Sequence, residues 1–278
     1  MPELPEVEII VRDLRRQIVG ETIDDVRVRW ARSIDRPNVE TFIKRLCGQR
    51  IREVRRRGKF VIVDLSQGHL LIHLRMTGQL LLCDGPRETL EEDKHVHVIL
   101  LFASGRLLYF RDMRKFGRFY LVDDADEMVG DLGPEPLAKE FTPTALAKLF
   151  EGRRARVKSL LLDQHVLAGL GNIYTDESLW KAGIHPCRPV NDLNLEEMAR
   201  LHGSILQVLR SALENRGTTL QSYRDPNGRR GRNQERLAIY GRAGEACPRC
   251  GQTIERDVMA GRGTYYCPEC QPWDDSRT

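Results

Sequence analysis

The 278-residue chain contains no long hydrophobic run. No window approaches the ~18 uninterrupted apolar residues of a membrane-spanning helix, and acids stand near the N-terminus where a signal peptide has basic and apolar regions. These absences argue against a membrane-inserted or secreted protein, and we expect a cytoplasmic one. The length predicts about two domains, each able to bury a core.

The chain also has no large excess of charge of either sign. Its 44 Lys and Arg residues and 40 Asp and Glu residues leave a net charge of +4, so the average charge alone does not indicate a nucleic-acid partner. The basic residues are nevertheless concentrated at 50–59, 153–158 and 229–242. Separated basic clusters are what binding to a phosphate backbone requires, although solvated surface faces give the same pattern.

The chain has seven cysteines, and the spacing of four of them is specific. Two Cys-x-x-Cys pairs enclose residues 251–266, which is typical of a four-cysteine zinc ribbon with a hairpin between its knuckles. Disulfides are rare in cytosolic proteins, so we predict one structural Zn²⁺ with four ligands: Cys247, Cys250, Cys267 and Cys270. The other cysteines are interpreted as small core or near-surface residues: Cys47, Cys83 and Cys187.

Apolar spacing predicts one helix followed by a β-rich half. A helical stripe runs from Val7 to Ile18 and stops at Gly20. Short alternating or apolar runs follow, separated by glycine-containing turns, with a helix predicted at Val39–Leu46 between the first two. Eight runs are predicted strands: 22–30, 50–57, 60–65, 69–75, 79–83, 95–102, 106–111 and 116–122. They favour an antiparallel β-sandwich as the first domain.

The pattern changes after residues 130–143, which are rich in Gly, Pro and acids and are interpreted as a linker. Periodicity then predicts helices at 144–150, 157–162, 173–182 and 195–213. The Gly-rich turn at 169–172 opens the third of them with N–H groups that are able to hold a phosphate. The stretch 217–242 is rich in Gly and Arg and has little periodicity, so we predict a mobile surface loop.

The first eight residues are the strongest candidates for chemistry. Removal of Met1 would leave Pro2 with a free secondary amine, and an α-amino pKa near ~8 lets part of it attack an electrophilic carbon at neutral pH and carry it as an iminium. Glu3 and Glu6 lie beside it to move protons. The alternative is that Pro2 and Pro5 only begin a helix, because proline and acids both suit a first turn.

Several motifs stand in one order along the chain. PELPEVE follows Met1, GNIY stands at 171–174, and the four-cysteine pattern ends the sequence; RRGKF (56–60), HLRMTG (73–78), RDMRKFG (111–117), LGPEPL (132–137) and GIHP (183–186) accompany them. With these motifs the chain resembles the bacterial formamidopyrimidine-DNA glycosylase family. Enzymes of this family are bifunctional and act as 8-oxoguanine glycosylases and AP lyases. The resemblance covers nearly the whole length, and it favours the catalytic interpretation of Pro2.

The resemblance implies an α+β fold with four parts. These are a catalytic antiparallel β-sandwich with an N-terminal helix (1–130), a linker (131–142), a helix-two-turn-helix domain with a lesion-capping loop (143–242) and a zinc finger (243–278). Damaged double-stranded DNA would bind in the cleft between the domains. We expect the protein to be a monomer.

The resemblance also implies catalytic roles. Pro2 would attack C1′ of the damaged nucleotide, with Glu3 as the acid and base of base release and ring opening and Glu6 assisting nearby. Lys59 corresponds to a lysine that binds phosphate and donates a proton in β-elimination, and Arg262 to the arginine of δ-elimination. The zinc ribbon would therefore act indirectly, by presenting Arg262.

A base inside the duplex cannot reach Pro2, so the nucleotide must be flipped out at a cost of a few kcal/mol. The family fills the gap with three side chains, which correspond to Met76, Arg114 and Phe116. Met76 would be a flexible plug, Arg114 a hydrogen-bond donor to the cytosine left unpaired, and Phe116 a wedge between base steps. Without the resemblance, Met76 and Phe116 would be interpreted as core residues. The resemblance further implies a set of phosphate ligands: His95, Lys115, Arg154, Lys158, Asn172 and Arg262.

One departure from the family pattern concerns the lesion-capping loop. Asn233 stands before Gln234 where an aromatic residue is frequent, which leaves the lesion preference open. One rival interpretation is an endonuclease VIII-type enzyme for oxidised pyrimidines, but that branch usually has Gly at the position of Leu4. The other is a non-catalytic zinc-ribbon protein that binds damage, which would have no need of Pro2 and its paired acids.

Overall fold

In the computed structural model of the protein, the described residues are 1–85, 92–259 and 261–273. They form two compact units. One combines Met1–Asp131 with Leu213–Gln234, and the other combines Leu132–Ala212 with the chain from Glu235 onward. None of the described helices is both long and apolar enough to cross a membrane. The predicted domain limits stay predictions, and they differ from this division at 213–234, whose contacts lie in the first unit.

The first unit begins with helix α1, Leu4–Ile18. Glu3 is its N-cap residue and Glu6 lies in its first turn, where acids interact favourably with the helix dipole, while Arg15 and Arg16 occupy the last turn. The predicted apolar stripe of α1 is fully buried in the core of the unit. Packing of this face fixes the helix, and with it the position of the N-terminus.

Two sheets enclose that core. The four-stranded sheet has the order β1-β7-β8-β6 and the five-stranded sheet the order β2-β9-β5-β4-β3. The strand bounds are β1 Ile23–Val28, β2 Ile34–Arg36, β3 Ile51–Arg57, β4 Phe60–Leu65, β5 His69–His73, β6 Gln79–Asp84, β7 Val96–Phe102, β8 Arg106–Arg111 and β9 Arg118–Val122. Two short helices, α2 (Val39–Leu46) and α3 (Asp126–Val129), complete the unit. The predicted α+β fold with an antiparallel sandwich is confirmed.

Two details differ from the predicted strands. The short β2 was not predicted, and it pairs in parallel with β9. The last predicted strand begins at Arg118 rather than at residue 116, because Gly117 packs against the core ring of Phe110. A Cβ atom on Gly117 would lie 2.3 Å from Cζ of that ring, so this close approach requires glycine. Phe116 is therefore in the loop before β9.

The segment Leu213–Gln234 is tied down by hydrogen bonds, although the sequence predicted a mobile loop over 217–242. The Arg216 guanidinium bonds to Asp13 of α1 and to Asp225 of the segment itself. The Leu82 N–H of β6 donates to the Pro226 carbonyl at 2.8 Å. These contacts attach the segment to the sandwich.

The second unit consists of helices and one hairpin. The helices are α4 Pro143–Phe150, α5 Val157–Leu162, α6 Asn172–Ala182 and α7 Leu195–Glu214, whose last two residues belong to the first unit. They agree closely with the four predicted helices. The antiparallel hairpin consists of β10 (Glu255–Met259) and β11 (Arg262–Tyr266).

Candidate functional site

The N-terminus of α1 gathers the candidate nucleophile and two carboxylates. Pro2 is buried, whereas Met1 is exposed. The Glu3 N–H donates to Glu6 Oε2 at 2.8 Å, and the Glu3 side chain accepts from the Glu6 N–H, so each carboxylate caps the other residue. Both side chains are buried. Once Met1 is removed, the Pro2 amine would therefore stand next to carboxylates that are held in place.

Glu6 also holds the segment Leu213–Gln234. Its Oε1 atom accepts a hydrogen bond of 2.7 Å from the Thr218 N–H. Gly217 has φ +80, and a Cβ atom there would lie 2.9 Å from Glu6 Oε1. Burial raises the pKa of Tyr223 well above its usual value, and the negative charge of Glu6 raises it further. The carboxylate thus joins the start of α1 to the predicted lesion-capping loop.

Asn233 lies inside this loop rather than on its surface. Its side chain is 4% exposed, and its Nδ2 donates to Thr218 Oγ1 at 2.9 Å. The Gly231 N–H donates to Thr219 Oγ1 at 2.9 Å. The residue that departs from the family pattern therefore stabilises the loop from within.

Lys59 occupies the turn between β3 and β4 and is only 6% exposed. Its charge acts on His73 at the end of β5. Burial, followed by the positive charges of Arg75 and Lys59, lowers the pKa of His73 to about 3. Its Nδ1 accepts from the Arg75 N–H at 3.0 Å. His73 is accordingly neutral at physiological pH.

Met76, Arg114 and Phe116 form one exposed cluster. Met76 and Phe116 are 41% and 45% exposed, so the interpretation as core residues is wrong. The Arg114 guanidinium lies 2.9 Å from Met76 Sδ through Nη1, and its Cζ lies 4.7 Å from the centre of the Phe116 ring. A thioether, a guanidinium and a phenyl ring therefore project together from one surface.

The buried side chain of Asp112, which the sequence did not indicate, holds the loops that carry this cluster. Its carboxylate is fully buried. It accepts from the Thr77 hydroxyl and from the N–H groups of Arg114 (3.1 Å), Phe116 (2.8 Å) and Gly117 (2.8 Å). An Asp placed directly after a strand, where it can bond to the next N–H groups, was the available signal.

His95 and Lys115 flank the same loop. The His95 carbonyl accepts from the Asp112 N–H at 2.9 Å. Lys115 has φ +60, and its Nζ lies 4.0 Å from the ring centre of Trp30. Lys115 lies between Arg114 and Phe116 in the chain, and His95 bonds to the backbone of Asp112. The phosphate contacts predicted for both residues stay predictions.

In the second unit, Arg262 is exposed at the start of β11, whereas two other predicted phosphate ligands point into the fold. Lys158 is 1% exposed, and its Nζ contacts Asp176 Oδ1 at 2.6 Å. Asn172, the first residue of α6, donates through Nδ2 to the Gly263 carbonyl at 2.7 Å. These residues hold the hairpin next to Arg262. Arg154 is exposed between α4 and α5.

Two adjacent acids in α6 were also missed by the sequence analysis. Burial raises the pKa of Asp176 to about 7. Glu177 accepts three hydrogen bonds of 2.9 Å, from the N–H groups of Ala238, Ile239 and Tyr240. Burial raises the pKa of Glu177, while these bonds act in the opposite direction. Adjacent acids among the buried residues of a helix were the signal for both.

The four cysteine sulfurs fit a zinc ion. All four Sγ atoms lie within 4.8 Å of one another, and two pairs, Cys247–Cys270 and Cys250–Cys267, are 3.8 and 3.5 Å apart. Tetrahedral Zn–S bonds of about 2.3 Å require sulfurs about 3.8 Å apart. The Trp180 indole N–H donates to Cys247 Sγ at 3.4 Å. The site is closed by four protein ligands, which is typical of structural zinc.

Family models and known relatives match almost the entire chain. Residues 1–119 match the formamidopyrimidine-DNA glycosylase N-terminal domain, residues 132–224 the H2TH domain of the same enzymes, and residues 244–272 a zinc finger found in FPG and IleRS. Formamidopyrimidine-DNA glycosylases from Roseiflexus sp. (strain RS-1) and Chloroflexus aurantiacus are 47% and 48% identical to the chain. In both comparisons 98% of the chain is covered, together with 100% and 98% of the relatives.

Solved structures give the same result. Fpg from Lactococcus lactis in complex with DNA containing an abasic site is 36% identical and superimposes with a TM-score of 0.89. A Lactococcus lactis FPG mutant bound to DNA containing Fapy-dG is 37% identical, also with a TM-score of 0.89. Each comparison covers 98% of this chain and 100% of the other.

Proposed function

Since this chain belongs to the formamidopyrimidine-DNA glycosylase family, we propose that Pro2 is the nucleophile with which it removes oxidised purines from duplex DNA. The chain is a base-excision repair enzyme, a bifunctional DNA glycosylase and AP lyase. Its zinc is structural and its partner is damaged DNA. The monomeric state and the cytoplasmic location stay proposals from the sequence.

The first chemical step uses the N-terminus of α1. The Pro2 nitrogen attacks C1′ of the damaged nucleotide, the bond from C1′ to the base breaks, and Glu3 protonates the departing base. The Glu3 carboxylate then takes the proton of the Pro2 ammonium and gives it to the ring oxygen as the sugar opens to an iminium. The buried position of Glu3 and its mutual cap with Glu6 support this role.

Strand cleavage follows by two eliminations. In β-elimination, solvent water takes a proton from C2′ and the C3′–O bond breaks, while Lys59 supplies a proton to the departing phosphate. In δ-elimination, solvent water takes a proton from C4′ and the C5′–O bond breaks, while Arg262 holds the second phosphate as it leaves. The zinc site stabilises the ribbon to which the β10–β11 hairpin belongs, and that hairpin presents Arg262.

The observation that carries the proposed action on duplex DNA is the exposed cluster of Met76, Arg114 and Phe116, which suits the flipping that must bring the nucleotide to Pro2. The exposed ring and the exposed thioether both contact the same guanidinium. Together these side chains suit insertion into the gap that a flipped-out nucleotide leaves in a duplex. The guanidinium has donors for the base left without its partner. In this proposal Phe116 acts as the wedge that lowers the cost of unstacking.

Single-turnover kinetics of Phe116→Ala test this role. We expect excision from 8-oxoguanine duplexes to fall on the order of tenfold, since flipping costs a few kcal/mol, and incision at a preformed abasic site to fall much less. Met113→Ala is the matched control, because Met113 is 49% exposed next to the same loop but outside the cluster. Equal losses on both substrates with Phe116→Ala would contradict the wedge. Faster excision of thymine glycol than of 8-oxoguanine by the wild-type enzyme would contradict the purine preference.

A further inference from the structure

The hairpin that carries Arg262 is connected by a buried ion pair and two hydrogen bonds to a carboxylate for which the proposed reaction has no role. Asp176 Oδ1 lies 2.6 Å from Lys158 Nζ, and the two side chains are 0% and 1% exposed. Lys158 Nζ also donates to Thr264 Oγ1 at 2.7 Å. The Thr264 hydroxyl in turn donates to the backbone carbonyl of Arg262 at 3.2 Å. The chain therefore ends on the backbone of the arginine itself.

A second set of bonds runs beside the first. The other carboxylate oxygen of Asp176 accepts from the Tyr265 N–H at 3.0 Å. Lys158 Nζ lies 3.3 Å from the Gly263 carbonyl, which also accepts from Asn172. Every residue from Arg262 to Tyr265 thus has a backbone or side-chain group bonded within this network. The ammonium of Lys158 has three N–H donors, and oxygens of Asp176, Thr264 and Gly263 lie within reach of it.

We propose that Asp176 is a positioning residue for δ-elimination, which acts through Lys158 and Thr264 to fix the backbone from which Arg262 projects. This inference rests on the role of Arg262 in the proposed function. A flexible arginine side chain can bind a departing phosphate only if the backbone that carries it is correctly placed. A displacement of about 1 Å can cost as much as ~100-fold in rate.

The side chain of Asp176 is the group in this network that pairs with the buried ammonium of Lys158. A buried ammonium is stable only with a charged or fully bonded partner, and removing one member of such a pair leaves the other uncompensated. Asp176→Asn keeps an oxygen for the Tyr265 N–H but removes the partner of Lys158. Thr264→Val interrupts the same chain one step later and leaves the ion pair intact, while Thr264→Ser keeps the hydroxyl.

The test measures the ratio of δ product to β product on duplexes with an abasic site, together with zinc content and borohydride trapping. We expect Asp176→Asn and Thr264→Val to lower this ratio on the order of tenfold, a fraction of the ~100-fold that a misplacement of about 1 Å can cost. Zinc content and trapping should stay at wild-type values. Thr264→Ser should restore the ratio, and Asp257→Asn, an exposed change on the same hairpin, should leave it unchanged.

Arg262→Ala separates this inference from the proposed function. If Arg262→Ala abolishes the δ product while Thr264→Val keeps the wild-type ratio, the positioning role is wrong and the role of Arg262 stands. If Arg262→Ala leaves the ratio unchanged, the role of Arg262 is wrong, and the positioning role falls with it. Should Asp176→Asn lose its zinc or fail to fold, the comparison of Thr264→Val with Thr264→Ser decides. A lowered ratio of δ to β product in Thr264→Val alone supports the positioning role, and a wild-type ratio in both contradicts it.

Discussion

The Asp112 carboxylate accepts hydrogen bonds from four groups of the loops that carry the exposed cluster. Leaving a buried N–H without a partner costs about 1–3 kcal/mol, so this one side chain has a large effect on where Arg114 and Phe116 lie. The sequence did not point to it, because an acid next to Arg111 in a basic stretch is easily interpreted as part of a solvated charged face. Burial is a property of the fold, and it distinguishes Asp112 from exposed acids.

His73 makes the stability of the first unit depend on pH. Burial, with Arg75 and Lys59, lowers its folded-state pKa to about 3, below the ordinary value near ~6.5. As pH falls below ~6.5 the unfolded chain binds a proton that the folded protein does not, so stability present at pH 7 is lost. At pH 5 the loss from this residue is about 2 kcal/mol.

Urea unfolding at pH 7 and pH 5 measures this effect. We expect His73→Gln to lose less stability between the two pH values than the wild type does. The exposed His165→Gln should behave like the wild type. The same loss in His73→Gln as in the wild type would show that His73 is not responsible.

At the scale of elements, the segment Leu213–Gln234 depends on close backbone approach. A Cβ atom on Gly231 would lie 2.0 Å from the Gly217 carbonyl oxygen and 2.6 Å from that of Arg216. Because neither backbone atom is free to move like a flexible side chain, Gly231→Ala should displace the loop at a cost of about 1–3 kcal/mol. We expect excision of 8-oxoguanine to slow on the order of tenfold, as single-turnover rates would show.

Gly203→Ala is the control for this change. Gly203 lies in α7 with no atom within 4 Å of its Cβ position, so alanine should stabilise the helix by about 0.5–1 kcal/mol without altering excision. Wild-type excision by a folded Gly231→Ala enzyme would mean that the loop has no part in base removal.

The zinc site can be tested through its most exposed ligand. Cys250→Ser removes one of four thiolates, and structural zinc contributes apparent binding free energies of roughly 10–16 kcal/mol in small fingers. We expect zinc content, measured by elemental analysis, and DNA affinity to fall together. Cys47→Ser, which lies outside the site, should retain both. Loss of zinc with unchanged affinity for damaged DNA would separate the ribbon from binding.

Periodicity located most elements because their apolar faces are regular. The stripe of α1, eight of the nine described strands of the first unit and the four helices of the second unit were all predictable within a few residues. β2 escaped prediction because three residues are too few for an alternating pattern, and its pairing with β9 is non-local. The conformation of residues 213–234 could not be predicted either, since it depends on hydrogen bonds to residues of α1 and β6 that are distant in sequence rather than on local periodicity.

For the whole molecule, the sequence identified the exposed candidate residues better than the buried residues that position them. Motif resemblance pointed to Met76, Arg114 and Phe116, which the structure brings together on one surface. It pointed also to Lys158 as a phosphate ligand, whereas the structure buries that ammonium against Asp176. A linear pattern records residue types, and it does not show which side of a fold a long side chain occupies.

The proposed chemistry depends on the amine of Pro2, through which one covalent intermediate would serve both the glycosylase and the lyase reaction. Borohydride reduction of the enzyme during reaction with an 8-oxoguanine duplex, followed by peptide mapping of the adduct, tests it most directly. We expect enzyme lacking Met1 to be trapped through Pro2, and enzyme with Met1 retained or with an acetylated terminus to give no adduct. An adduct of undiminished yield with the blocked terminus would contradict it and assign the nucleophile to a lysine.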